Sequence, residues 1–279
     1  MNEAEIERVE IDLLLDTIHK RYGYDFGHYA RASLHRRILH ARSKLGYAHV
    51  ADLIPAILRD ESVGRALIAE FSITVTEMFR DPDFYRAVRL QVIPYLTTYP
   101  FFRAWVAGCA TGEEVYSLAI LLKEEGVYER AKIFATDFND AALKRAQDGI
   151  YPLKDIQQYT LNYQKAGGRQ SFADYYHAEY RSAILDSAIK PNITFANHNL
   201  VTDSDFGESQ LIFCRNVLIY FDRALQNRVL RVLASSLGNG GFLCLGAKET
   251  IDYSEVADQF TVVDAAEKIY RKRPGKSSL

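Results

Sequence analysis

Apolar residues recur at intervals of three and four through the first quarter of the chain. Ile11, Leu14, Leu15 and Ile18 form one such set, Leu34, Ile38, Ala41 and Leu45 a second, and Ile54, Ile57 and Leu58 a third. That period predicts amphipathic helices, and no strand is needed before Ile73. Residues 1–75 are therefore expected to form a small all-helical domain, with a linking helix over 76–90. After Pro100 the pattern changes to short apolar runs alternating with helical periods. Strands are predicted at Phe101–Val106 and Lys132–Thr136, and helices at Glu113–Glu125 and Asp140–Asp148. The alternation resumes with Ile193–Ala196, Leu211–Cys214, a helix over Arg223–Leu237, a strand at Phe242–Leu245 and a last one over Phe260–Tyr270. Strand and helix in alternation imply a parallel sheet, so 91–279 reads as an α/β domain. The Tyr-rich stretch Tyr151–Pro191, broken by Gly167 and Gly168, reads as an insertion, and the basic tail Arg271–Leu279 is expected to fray.

Composition narrows the class without choosing a function. With 48% apolar and 25% charged residues the chain is ordinary globular protein. A formal net charge of −2 gives no general attraction to nucleic acid or anionic lipid, so any charged partner is met locally. The three cysteines, Cys109, Cys214 and Cys244, are widely spaced in apolar runs and suggest reduced core thiols rather than disulfides or a metal site. Glu3, Glu5, Glu7, Glu10 and Asp12 stand where a secretory signal needs basic residues, and no run approaches the ~18 apolar residues of a membrane helix. A cytoplasmic protein without membrane insertion is expected.

The candidate chemistry begins where the first sheet strand runs into Gly108-Cys109-Ala110-Thr111-Gly112 and a helix opening with Glu113 and Glu114. Glycines there serve either a structural turn or close approach of backbone to a ligand. Two acids at a helix amino terminus oppose phosphate and fit a cationic or polar ligand better. Asp137, after the next strand, stands where doubly wound folds present a carboxylate to ribose hydroxyls, and equally where a residue caps a helix. The pair suggests adenosine, in NAD or in S-adenosylmethionine. GxGxxG and a second nucleotide-binding half are both absent, and the carboxyl-terminal strands suit a terminal hairpin, which together favour the methyl donor.

Five phrases then become specific: Ser72-Ile73-Thr74-Val75-Thr76-Glu77-Met78-Phe79-Arg80, Ala107 to Ser117, Ala135-Thr136-Asp137, Gly149-Ile150-Tyr151 and Ile212 to Asp222. In this order the chain resembles the chemotaxis receptor (methyl-accepting chemotaxis protein) glutamate O-methyltransferases over roughly Ile11–Tyr270. The resemblance implies an all-α amino-terminal domain followed by a Rossmann-like class I methyltransferase domain with a small antiparallel β insertion, here about 152–195. It also implies methyl transfer from S-adenosylmethionine to glutamate carboxylates on the cytoplasmic coiled coil of a chemoreceptor, releasing S-adenosylhomocysteine. Position by position, Thr74, Thr76, Arg80, Gly108, Glu114, Asp137, Asn199, Leu200, Arg215 and Asn216 correspond to the donor-binding set. Arg80 and Tyr220 correspond to the substrate side. Thr74 and Val115 depart from the family, which often has Asn and Pro there.

Read as residues alone, Arg215 and Asn216 interrupt an apolar run, and a buried charge demands either a protein partner or a ligand. Between His28 and Ala51 the chain carries Arg31, Arg36, Arg37, Arg42 and Lys44 with no acid. This set serves either as a solvated face or as a dock for the acidic methylation helices of a receptor. Two other readings stay open: a receptor-docking regulatory module that binds the donor without turnover, and a methyltransferase for another carboxylate.

Overall fold

The computed structural model describes residues 1–71 and 75–275. It divides into two units, Met1–Ile73 with Ile219–Arg228, and Thr74–Leu218 with Val229–Leu279. Thr74 lies outside the described residues.

The first unit is built from α1 (Glu3–Tyr22), α2 (Arg31–Leu45), α3 (Leu53–Arg59) and α4 (Glu61–Phe71). Asn2 starts α1 through a capping box: its side chain accepts from the Glu5 amide, and Glu5 accepts from the Asn2 amide, each at 2.9 Å. The predicted apolar faces Ile11, Leu14, Leu15 and Ile18 of α1 and Leu34, Ile38 and Ala41 of α2 are buried. On α3 the buried pair is Leu53 and Ile57, whereas Leu58, expected inside, is half exposed. The helix expected over 76–90 does not begin there. Residues 75–81 are irregular, and the helical stretch runs later, as α5 (Pro82–Ala87), a π turn at Val88–Val92 and α6 (Ile93–Leu96). Pro82 sits at the first helical position, where its missing N–H costs nothing.

In the second unit β1 (Phe102–Ala107), α7 (Glu113–Glu124), β2 (Ala131–Asp137) and α8 (Asp140–Asp148) follow the predicted alternation. The insertion carries β3 (Ile150–Pro152), α9 (Ile156–Lys165), β4 (Tyr176–Glu179) and β5 (Ser182–Leu185), which form a three-stranded antiparallel sheet in the order β3-β5-β4 and a helix. The insertion therefore mixes helix with antiparallel sheet. The main sheet continues with β6 (Ile193–Asn197), β7 (Ser209–Cys214), β8 (Leu237–Leu245), β9 (Phe260–Asp264) and β10 (Ile269–Lys272), while α10 (Arg223–Ser235) runs from the Ile219–Arg228 segment of the first unit into the second. The single last strand expected over Phe260–Tyr270 is two, because Asp264 accepts the Ala266 and Glu267 amides and turns the chain. Arg271 and Lys272 belong to β10 rather than to a frayed tail.

The seven strands lie in the order β6-β2-β1-β7-β8-β10-β9, parallel from β6 to β8 and antiparallel at β10 and β9. Strand order reverses between β1 and β7, which places the open crevice of a doubly wound sheet at their carboxyl ends. Ala104, Val106, Ile133, Ala135, Leu211 and Phe213 pack against α7 through Val115, Leu118 and Ala119 in one core. On the opposite face Trp105 stacks on Phe206. Burial on both faces explains why these strands read as nearly continuous apolar runs.

Candidate functional site

The loops leaving β1, β2, β6 and β7 carry most of the predicted donor-binding residues to one edge of the sheet. Gly108 takes φ +74°, and a Cβ there would meet Val217 Cγ2 at 2.6 Å. Gly112, at φ +94°, would strike Ala146 Cβ at 2.8 Å. Both glycines are thus required by the chain's own packing. Between them Ala110, also at positive φ, donates its amide to Asp137 Oδ2 at 2.9 Å. The other oxygen, Oδ1, accepts the Asn139 amide at 2.9 Å. Asp137 is buried, and burial raises its carboxyl pKa against the opposing effect of these amides. The Phe138 amide also acts on this carboxylate, and of its roughly four acceptor directions one is left for a ligand hydroxyl.

Arg215 shows how the charge inside the apolar run is satisfied. Its side chain is 1% exposed, with Nη1 2.7 Å from Glu114 Oε2 and Nη2 2.7 Å from Asp81 Oδ2. Both nitrogens also approach the Arg80 carbonyl at 3.5 Å, and the guanidinium lies 3.9 Å from the Phe84 ring centroid. Its terminal nitrogens are thus held by protein partners, and what this brings to a ligand is the fixed position of Arg80 and Glu114. Burial raises the Glu114 pKa, which Arg215 opposes. Asp81, which the sequence reading did not single out, stands at φ +58°, and Phe79 at φ +52° donates its amide to Ser117 Oγ at 2.8 Å. Arg80 is therefore held on both sides. Arg80 itself is half-buried; its guanidinium makes no ion pair or side-chain hydrogen bond among the described residues, though its charge helps lower the Glu114 pKa.

Asn216, at φ +59°, donates its amide to Glu249 Oε2 at 2.9 Å, and the same oxygen accepts the Gly246 amide. Asn199 Oδ1 accepts the Val201 amide at 3.0 Å, a turn that sets buried Leu200 in place. His198, just before it, hydrogen-bonds the Ser204 carbonyl through Nε2 and lies among the Trp105 and Phe206 rings. Thr76 is half-buried in the irregular stretch before α5. Neither Glu249 nor His198 stands in the quoted phrases, so no sequence signal points to them.

Glu113 is a buried neighbour of the loop. It accepts the Thr111 hydroxyl at 2.7 Å, and burial pushes its pKa up to about 7. A folded-state pKa above the ordinary 4.5 contributes stability that is complete below the unfolded pKa and lost as pH rises through about 7. The difference corresponds to about 3 kcal/mol between the two limits. Glu113→Gln keeps an acceptor for Thr111 and removes the titration. The expected result is a smaller fall in melting temperature from pH 5 to pH 8.5 than the unsubstituted protein shows; parallel profiles would place the Glu113 titration elsewhere.

The remaining predicted residues lie in the helical unit. Tyr220 accepts the Ala30 amide at its carbonyl, 2.8 Å away, and interacts electrostatically with Arg37. Arg31 pairs with Asp12, and Arg37 donates to the Glu70 carbonyl at 3.1 Å. Arg42 is half-buried, whereas Arg36 is exposed and has no side-chain partner among the described residues. No helix among the described residues is long and apolar enough to cross a membrane.

A family model described as "CheR methyltransferase, SAM binding domain" matches residues 74–269, and one described as "CheR methyltransferase, all-alpha domain" matches residues 9–72. The Cher3 protein of Pseudomonas putida is 49% identical over 264 residues, covering 95% of this chain and 97% of its own. Chemotaxis protein methyltransferases of Listeria innocua and Listeria monocytogenes are 33% and 30% identical, each covering 88% of this chain and 92% of their own. With a reversed strand order over these loops and matches across nearly its whole length, the chain belongs to the CheR methyltransferase family, whose S-adenosylmethionine-binding domain it carries.

Proposed function

We propose that the protein, in the cytoplasm, transfers a methyl group from S-adenosylmethionine to glutamate side-chain carboxylates on the coiled coil of a chemoreceptor. The observation that carries this reading is Arg80. In a cluster where Arg215 is already engaged by Glu114 and Asp81, Arg80 is anchored by its backbone and leaves its planar fork for a carboxylate. Arg suits bidentate recognition of that group. Asp137, with acceptor capacity left beyond its backbone amides, fits a ribose hydroxyl of the donor, and Leu200 with Asn199 fits its base.

A glutamate side chain is ionised at neutral pH, with an ordinary pKa of about 4.3. No general base is therefore required. The donor, when bound, supplies a methyl carbon on a positively charged sulfur. The chain's residues hold the acceptor oxygen in line with it, an effect worth roughly 7–11 kcal/mol when geometry is good. The oxygen forms a bond to the methyl carbon, the carbon–sulfur bond breaks with its electrons returning to sulfur, and no proton moves. Tyr220 donates one hydrogen bond on the substrate side.

The test uses a purified chemoreceptor cytoplasmic fragment and methyl-labelled donor. Label released as methanol by mild alkali identifies a carboxyl methyl ester; label on the fragment that resists alkali, or none, would sink the glutamate reading. Arg36→Glu supplies a second expectation. Reversing this exposed cation is expected to lower methylation of the fragment about tenfold at low salt, with donor affinity unchanged, because rim charges act on encounter. Unchanged methylation would make the basic face of α2 merely solvated.

A further inference from the structure

Tyr220 follows the β7 phrase closely in sequence, yet its backbone is tied into the helical unit by a short, well-formed contact. The Ala30 amide donates to the Tyr220 carbonyl at 2.8 Å, and the Asp222 amide donates to the His28 carbonyl at 2.8 Å. Tyr29 and Phe221 between them form an antiparallel bridge, with their rings edge to face at 5.0 Å. The Tyr29 ring also meets Phe26, which in turn meets Phe71 of α4, each at 4.9 Å. One side-chain bond closes the arrangement: His28 Nδ1 lies 2.9 Å from Asp222 Oδ2. The other carboxylate oxygen of Asp222 accepts the Leu225 amide at 2.9 Å and so caps α10. Tyr220 is thus fixed from both directions, by the segment before α2 and by the start of α10.

We propose that His28, Tyr29 and Ala30 are positioning residues for methyl transfer, which hold the Tyr220 side chain at its working place through this bridge. The proposal rests on the reading of Tyr220 as a substrate-side residue. It gives the helical unit a part in turnover separate from any docking by α2. Unlike the loops after β1, β2, β6 and β7, which belong to the other unit, the segment 28–30 belongs to the helical unit. Its loss is therefore expected to alter kcat and to leave donor affinity alone. A displacement of about 1 Å from the productive geometry suffices for a large effect, up to about a hundredfold in rate.

Ala30 offers a clean substitution. Its φ of −57° suits proline, and α2 starts directly after it, so Ala30→Pro keeps the local backbone. The ring removes the amide hydrogen, and its Cδ occupies the hydrogen's place, which obliges the Tyr220 carbonyl to retreat. His28→Ala removes the side-chain closure without touching the backbone bonds, and His28→Asn returns a donor near the position of Nδ1.

The experiment measures kcat on the chemoreceptor fragment, calorimetric affinity for S-adenosylhomocysteine, and melting temperature. The variants are Ala30→Pro, His28→Ala and His28→Asn, each also combined with Tyr220→Phe. The expected result is a fall in kcat of about tenfold for Ala30→Pro and a smaller one for His28→Ala, with recovery in His28→Asn and unchanged donor affinity. In the Tyr220→Phe background the same substitutions are expected to add almost nothing, because residues that act through one group are not additive. A rate fall of the same size in both backgrounds, or wild-type kcat in Ala30→Pro and His28→Ala while Tyr220→Phe is slow, would overturn the proposal. Wild-type kcat in Tyr220→Phe itself would instead remove the reading of Tyr220 on which it rests.

Discussion

Replacing Arg215 with alanine is expected to destabilise the methyltransferase unit by about 3–5 kcal/mol, the usual consequence of removing one partner from a buried charge network. Two carboxylates, Glu114 and Asp81, lose their counter-ion together, and the Phe84 face loses its cation. Asp81, at 40% side-chain exposure, recovers water; Glu114, at 15%, does so much less. The deficit is therefore concentrated on Glu114 and depends on pH. Burial already raises its pKa, and without Arg215 only the weaker opposing influence of Arg80 remains. A raised folded-state pKa favours folding at low pH and ceases to do so as pH rises. The variant is thus expected to lie closest to the parent near pH 5 and furthest from it at pH 8. Arg215→Lys is expected to recover only part, since one ammonium cannot span both carboxylates as the planar fork does. Thermal unfolding across that pH range checks this, and a variant melting within two or three degrees of the parent at pH 8 would show that the network contributes little.

That network also marks where sequence reasoning stops. A charge inside the run Leu211–Phe221 was legible as something requiring a partner, but the partners lie 101 and 134 positions away. Nothing in local pattern selects Glu114 and Asp81 from the other acids. The parallel strands and α8 were legible because burial on both faces writes a continuous apolar run and because Asn139 and Gly149 punctuate the helix at both ends. The two strands within 260–272 were read as one because Asp264, the residue that turns the chain, is a single polar position between apolar stretches. Helix α9 was hidden for another reason: its buried face is Ile156, Tyr159 and Tyr163, and tyrosine also favours strands. Tyr220 misleads most simply. Four positions from Asn216 in sequence, it is grouped with the helical unit, a placement written in contacts with residues 28–37 rather than in local pattern.

The second large effect is expected at Asp137, where replacement with alanine should weaken binding of S-adenosylhomocysteine about ten- to a hundredfold. A hydrogen bond to a charged group is worth about 1.5–3 kcal/mol, and a ribose hydroxyl would take the acceptor site left on this carboxylate. The side chain has a structural duty as well, since it holds the Ala110 and Asn139 amides, and Ala110 stands at φ +48°. A loss of affinity could then reflect a collapsed loop rather than a missing contact. Asp137→Asn keeps the shape and one acceptor but turns an NH2 toward one of the two backbone amides, so it retains part of the structural duty that alanine loses. Calorimetry and melting temperature are measured on both variants. If the carboxylate binds the donor, affinity falls steeply in both, while Asp137→Asn melts between Asp137→Ala and the parent. Affinity for the unsubstituted protein should also decline at acid pH, earlier than an ordinary aspartate would cause, because burial raises this carboxyl's pKa and protonation replaces an acceptor with a donor. Normal affinity in Asp137→Asn would make the residue a staple for the glycine turn alone. Recognition of the donor would then have to come from the β6 and β7 loops, through Asn199, Leu200 and Asn216.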